Sequence, residues 1–160
     1  MQLDYDALDL AIFSTLEGVD DVTTLMSTVA AMVYGHDDRY DWVGFYRNVG
    51  DNKLEIGPYQ GPLGCLFIPF GKGVCGHVAI TGEAIIVPDV EEFAGHIACS
   101  SSTRSELVLP VHNKNGELLG VFDIDSNQVD AFKQSDLDLI LPILKRVFAN
   151  THLAQMSSRL

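Results

Sequence analysis

Two sets of residues in this chain are of types that do chemistry. The first is its three cysteines, Cys65, Cys75 and Cys99, all held within one stretch. That stretch carries a glycine-rich turn, Phe70-Gly71-Lys72-Gly73-Val74-Cys75-Gly76. It closes in Gly95-His96-Ile97-Ala98-Cys99, and the small polar run Ser100 to Ser105 follows. Nine residues separate Cys65 from Cys75, and twenty-three separate Cys75 from Cys99. No C-x-x-C is present, so neither a thioredoxin-type dithiol motif nor a zinc ribbon is indicated. A Cys/His zinc site using His77 or His96 has little support from the spacing. Two readings stay open. Isolated cysteines are commonly small buried hydrophobes. Should Cys65 and Cys99 lie close in the fold, one could attack a substrate and the other close a disulfide. The glycines predict a turn entering a short helix over 74–80, which puts Cys75 near a helix N-terminus, where the dipole favours a thiolate. The turn is not a phosphate loop, because the full glycine spacing followed by Lys-Ser/Thr is missing.

The second set is acidic, and a hairpin gathers it. Asn113-Lys114-Asn115-Gly116 lies between two apolar runs, Leu107 to Val111 and Glu117 to Asp125, and Asn-Gly in that setting is a strong hairpin signal. Taking Asn115-Gly116 as a two-residue turn pairs Lys114 with Glu117. Counting outward then sets Glu106 opposite Asp125 and Val108 opposite Asp123. A four-residue loop keeps this register, whereas a three-residue loop shifts it. Asp123 and Asp125 share a strand face by period two, so three carboxylates converge on one patch. Like charges directly opposite each other are destabilising. The patch is therefore either a solvated strand end or the seat of a cation, such as a metal ion or the ammonium of a small substrate. One carboxyl held protonated could also serve as an acid.

The elements that must position these groups follow from periodicity. Leu8, Ala11, Ile12, Thr15 and Leu16 predict one amphipathic helix. Val22, Leu25, Met26, Val29 and Val33 predict a second, opened by Asp20 or Asp21 and stopped at Gly35. Residues 41–47 read as a strand with Trp42, Gly44 and Tyr46 on one face and Val43 and Phe45 on the other. Either Gly44 opens a cavity lined by the two aromatics, or the strand belongs to the core with its Trp and Tyr tips in water. A strand at 53–56 leads into a proline- and glycine-rich loop at 57–62, and 84–87 is a further short strand. Ser135-x-x-Asp138 resembles a capping box opening a C-terminal helix, which Pro142 should kink or mark as an exposed irregularity. Helices, then strands, then a helix predict an α+β fold. Its largely antiparallel sheet packs against N-terminal helices and a C-terminal helix, in one domain over 1–160.

Composition limits the function classes. With 160 residues, 47% of them hydrophobic and 20% charged, the chain suits one globular domain. A net charge of −12 and no basic stripe argue against nucleic acid. The start, Met1-Gln2-Leu3-Asp4-Tyr5-Asp6, lacks the marks of a signal peptide, and no apolar run approaches the ~18 residues of a membrane helix. An odd number of cysteines then fits a reducing compartment, so a cytoplasmic protein is expected.

Several strings also match one family in order. They are Trp42-Val43-Gly44-Phe45-Tyr46, Gly57-Pro58-Tyr59-Gln60-Gly61, Ile68 to Gly76, Val87-Pro88-Asp89-Val90, Gly95 to Cys99, Ser105-Glu106, and Gly120-Val121-x-Asp123-Ile124-Asp125-Ser126. On these the chain resembles the free methionine-R-sulfoxide reductases, which are single GAF-domain enzymes. The resemblance implies Cys99 as nucleophile, Cys65 as resolving cysteine and Cys75 as an auxiliary third. It implies Glu106, Asp123 and Asp125 as substrate-holding acids and Trp42 and Tyr46 as pocket aromatics. It further implies no bound cofactor or metal, thioredoxin as external reductant and a homodimer. The preference for the R epimer rests wholly on it. The substrate's own carboxylate would meet backbone N–H groups over 100–105, or Arg104. The alternative is a non-catalytic GAF module that senses a small ligand. Cyclic-nucleotide GAF domains carry an Asn-Lys … Phe-x3-Asp-Glu signature, and here Asn113-Lys114 and Phe132-x3-Asp136 are followed by Leu137 in place of the glutamate. A zinc-stabilised domain is a third reading.

Overall fold

The register of one six-stranded sheet decides which side chains meet. The protein is described by a computed structural model covering residues 5–157. Its elements are α1 (Tyr5–Thr15), α2 (Val22–Tyr34), β1 (Trp42–Asn48), β2 (Lys53–Gln60), β3 (Phe67–Pro69), α3 (Gly73–Thr81), β4 (Ile85–Val87), β5 (Ser105–His112), β6 (Leu118–Ser126) and α4 (Gln134–Val147). Short 3-10 turns lie at Val90–Glu92 and Leu153–Met156. The strand order is β3-β2-β1-β6-β5-β4, and every pairing is antiparallel. No described helix is long and apolar enough to cross a membrane.

Alternation along the strands gives the sheet two apolar faces. Val43, Phe45, Leu109, Phe122 and Ile124 point to a core shared with α1, α2 and α4. Trp42, Tyr46, Val108 and Val121 point the other way, onto Val74, Cys75 and Val78 of α3. Sheets buried on both faces are the usual result of helices lying on each side. The first core is the larger, and it is the scaffold. The second is where the acids and thiols emerge.

The sequence reading of the helices holds, including Asp21 as the cap of α2, whose carboxylate accepts from the Thr24 N–H at 2.9 Å. Three local expectations need correction. The stretch 57–60 is not loop but the second half of β2. The β1–β2 register shifts between Gly44 and Tyr46, leaving an extra residue at Gly57-Pro58. A bulge is where a strand tolerates a residue without an N–H. The hairpin loop is three residues, not two: Asn113 N–H donates to the Glu117 carbonyl at 3.1 Å, and Gly116 takes φ +80°. That loop alone would slip the register. A second irregularity between Val111 and His112, with Leu119 as the extra residue, restores it. Glu106 thus faces Asp125 and Val108 faces Asp123, as expected, but by two cancelling shifts. Finally, α4 is not opened by Ser135 and Asp138. Lys133 N–H donates to Asp136 Oδ2 at 2.8 Å, and Asp136 N–H returns a bond to the Lys133 carbonyl. Pro142 lies on the exposed side of an unbroken α4.

Asp136 also ties the scaffold together. Its carboxylate accepts from Arg39 Nη2 and from Tyr40 Oη, each at 2.8 Å, joining the segment before β1 to α4. Burial alone would raise this carboxyl, yet Arg39, Lys133 N–H and Tyr40 hold it below the usual range. The stability it supplies is therefore present at neutral pH and is lost as pH falls through the depressed value. Loss of Asp136 leaves Arg39 its ion pair with Asp37 at 2.6 Å but strands the Tyr40 hydroxyl and the Lys133 N–H. Asp136→Ala is expected to lower unfolding free energy by about 2–4 kcal/mol, measured by urea denaturation at pH 7.

Candidate active site

The sheet aligns the acidic side chains in two dimensions. Across β5 and β6, Glu106 sits opposite Asp125. Across β1 and β6, Trp42 sits opposite Asp125 and Gly44 opposite Asp123. All of them face α3. Gly44 does not leave an open cavity, because the Trp42 indole lies over it. A Cβ there would stand 2.7 Å from Trp42 Cη2 and would also collide with Tyr59. The indole is held by its Nε1–H donating to the Pro62 carbonyl at 2.8 Å. It stacks between Tyr46 and Tyr59, with ring centroids 5.9 and 5.3 Å away. Tyr46 is 2% exposed over the whole residue and lines a cavity.

Cys65 and Cys99, 34 residues apart, form a disulfide with Cα atoms 5.1 Å apart. Cys65 is delivered by the loop after β2, and Cys99 by the segment that follows the 3-10 turn at Val90–Glu92. Both are half-buried. Cys75 is the third residue of α3 and lies beneath them, buried, with Sγ 4.0 Å from Glu106 Oε1. The expected dipole-stabilised thiolate is overturned at this position. Burial, then the neighbouring Asp123, Glu106 and Asp125, push the Cys75 thiol well above its ordinary value. In this site desolvation and like charge outweigh half a dipole charge.

A cavity opens between the disulfide and the sheet. Cys99, Cys75, Trp42 and Tyr46 line it together with Glu106, Asp123 and Asp125, so the register brings nearly all the expected residues to one place. Cys65 reaches it through its bond to Cys99. Arg104 does not line the cavity, whereas Ser100 and Thr103 do. Sequence reasoning missed Lys72 and Ile97 as lining residues and weighed His96 only as a zinc ligand. The imidazole Nε2 of His96 stands 4.0 Å from Glu106 Oε2. Its place three residues before Cys99 was the available signal. His77 instead sets its ring against Phe93.

The Asn-Lys … Phe-x3-Asp residues lie elsewhere and serve the scaffold. The Asn113 side chain closes the hairpin loop, accepting from Asn115 and Glu117 N–H. Phe132 stacks on Tyr40 at 5.8 Å, and Asp136 holds Arg39. None of them lines the cavity.

The cavity floor is short of positive charge. Burial comes first in holding Glu106 above the ordinary carboxyl range and Asp123 and Asp125 well above it, and mutual repulsion adds to the last two. Asp123 Oδ1 and Asp125 Oδ1 are enclosed without a hydrogen-bond partner. Such a cluster holds its protons more tightly than free carboxyls do and can surrender one to a reacting group or exchange it for a cation.

Known proteins align with this arrangement. Residues 17–146 match the sequence profile of the GAF domain. The free methionine-R-sulfoxide reductase of Escherichia coli is 38% identical over 135 residues, 81% of each chain. The Saccharomyces cerevisiae protein of the same name is 43% identical over 109 residues, 67% of this chain. The matched segment spans only 61% of the yeast protein, and 65% of GAF domain-containing protein A of Dictyostelium discoideum, which is 47% identical. Among solved structures, the free methionine-R-sulfoxide reductase of Neisseria meningitidis in complex with its substrate superposes with a TM-score of 0.85. It is 33% identical, and the match covers 96% of this chain and 89% of that one.

The electrostatics carry a consequence for stability. Carboxyls raised in the folded state bind protons more tightly there than in the unfolded chain. Their contribution is therefore full in acid and is lost as pH rises through the raised values. Asp123→Asn removes one such group. The variant is expected to melt roughly 2–4 °C above the parent at pH 8, a gain of about 1 kcal/mol, with the difference shrinking toward pH 5. Differential scanning calorimetry across that range measures it.

Proposed function

The chain belongs to the GAF-domain family and, within it, to the free methionine-R-sulfoxide reductases; from that premise we propose that it reduces free L-methionine-R-sulfoxide to L-methionine. The observation that carries the reading is the pair Cys65–Cys99 closing a cavity floored by Glu106, Asp123 and Asp125. A dithiol supplies the two electrons, and the acids supply both a seat for the substrate's ammonium and a proton.

In the reduced enzyme the Cys99 thiolate attacks the sulfoxide sulfur, and a protonated carboxyl of the floor gives its proton to the departing oxygen. The hydroxyl then passes to Cys99 sulfur as the bond between the two sulfurs breaks, so methionine leaves with two added electrons and Cys99 is left as a sulfenic acid. The Cys65 thiol then attacks Cys99 sulfur, water leaves, and the disulfide forms. The thioredoxin dithiol restores both thiols by exchange, so no bound cofactor enters the cycle. The ammonium answers the charge shortage of the floor, which a peptide-bound methionine could not do. Trp42 and Tyr46 shape the apolar wall for the sulfoxide and methyl end, and Cys75 lies below as an auxiliary group. The reading extends to a homodimer in a cytoplasmic setting, acting against oxidative stress.

In a thioredoxin-coupled NADPH assay, the R epimer is expected to be consumed and the S epimer left. Cys99→Ser should lower turnover by roughly 1,000-fold or more. Cys65→Ser should still form about one methionine per protein in a single turnover but lose thioredoxin-supported cycling. Substantial turnover by Cys99→Ser, or no turnover of either epimer by the fully reduced parent, contradicts the reading, and the latter result favours a ligand-sensing module.

A further inference from the structure

The buried thiol of Cys75 has no step of its own in that cycle, and its surroundings are unusual for a core cysteine. Ligand-type atoms of Cys75, Glu106 and Asp123 all lie within 4.8 Å of one another, and all three residues are buried. Cys75 Sγ is 4.0 Å from Glu106 Oε1, and His96 Nε2 is 4.0 Å from Glu106 Oε2. A second, separate feature points to a ligand. Asp123 is only 5% exposed, lines the cavity and keeps Oδ1 enclosed without a hydrogen-bond partner.

We propose that Cys75, Glu106 and Asp123, with His96 as fourth ligand, form a binding site for a zinc-type divalent cation at the cavity floor. Donor chemistry selects the ion. An ammonium is satisfied by carboxylate oxygens alone and gains little from a sulfur, which is a weak acceptor. Calcium and magnesium likewise take oxygen ligands. One sulfur, two carboxylates and an imidazole are the donor set of a borderline-soft ion with tetrahedral preference. Zinc bond lengths of about 2.0–2.3 Å place neighbouring ligand atoms about 3.3–3.8 Å apart around a tetrahedron. The two measured separations, Cys75 Sγ to Glu106 Oε1 and His96 Nε2 to Glu106 Oε2, are each 4.0 Å, just beyond that spacing. A dication also offsets the repulsion among Glu106, Asp123 and Asp125, for which the described residues provide few donors. Glu106 and Asp123 then belong to two uses, so an ion seated there excludes the substrate's ammonium. That exclusion rests on the reductase reading; the binding does not.

The test uses the full chain with the Cys65–Cys99 disulfide intact, so that Cys75 is its one free thiol. Zinc is titrated in competition with a chromophoric chelator, and cobalt serves as the spectroscopic stand-in. The expected result is one equivalent of zinc and a thiolate-to-cobalt charge-transfer band. Cys75→Ser should abolish the band. It should also lower zinc affinity by more than the roughly 10–100-fold lost when an outer partner of a ligand is removed. Glu106→Gln is the second variant, expected to keep the band while weakening binding, and circular dichroism checks that both variants fold. Zinc retained equally by Cys75→Ser, or cobalt binding without the band, means that the ion sits on exposed carboxylates and overturns the proposal. Neither readout involves turnover, so failure here is separate from failure of the reductase reading.

Discussion

Carboxyl groups forced together in a dry place set the terms for the rest of this molecule. The antiparallel register puts Glu106 directly opposite Asp125 and brings Asp123 onto the same face. Burial then denies them the water that would ordinarily separate like charges. A fold with only packing to satisfy would fill these positions with Val or Ile, as it does at Val108 and Val121 beside them. Holding acids there costs stability, which is a common mark of a site arranged around a ligand's charge rather than around the fold.

The two faces of the sheet divide that burden. The helical side contains the larger core, and there the buried Asp136 carboxylate is answered by Arg39, Tyr40 and the N-terminus of α4. The α3 side carries the unanswered charge, the thiols and the cavity. A rigid scaffold behind a strained site keeps the acids from relaxing apart, because every strand bearing one is paired on both edges. The Cys65–Cys99 bond closes the opposite wall and links the loop after β2 to the loop before β5.

Much of this could be read from residue order because the deciding patterns are local. Period two put Trp42, Gly44 and Tyr46 together and separated them from Val43 and Phe45. Period 3.6 and Asp21 gave α2 its bounds. The resemblance to the reductases named the acids and thiols that the register gathers, including Cys65 as the resolving partner of Cys99, and the fold joins those two in a disulfide. What escaped was set by non-local or compensating effects. The two shifts in the β5–β6 hairpin cancel, so the correct facing arose from a wrong turn. Gly57-Pro58 looks like loop because a proline is acceptable in a strand only at a bulge, and the bulge is defined by β1. Cys75 reads as a thiolate from its helix position alone, since its burial and its three acidic neighbours come from other elements. In the sequence Tyr59 figures only inside the string Gly57 to Gly61, and its stacking on Trp42 depends on the β1–β2 pairing.

The central claim is that the acidic floor seats the positive charge of a free amino acid. It is tested most directly by comparing kcat/KM for free L-methionine-R-sulfoxide with that for its N-acetyl derivative, which has the same sulfoxide but no ammonium. The account predicts that the acetylated compound is poorer by at least roughly 100-fold, because its neutral amide leaves the buried carboxyls unanswered. Equal values for the two would contradict it and would move substrate selection away from Glu106, Asp123 and Asp125.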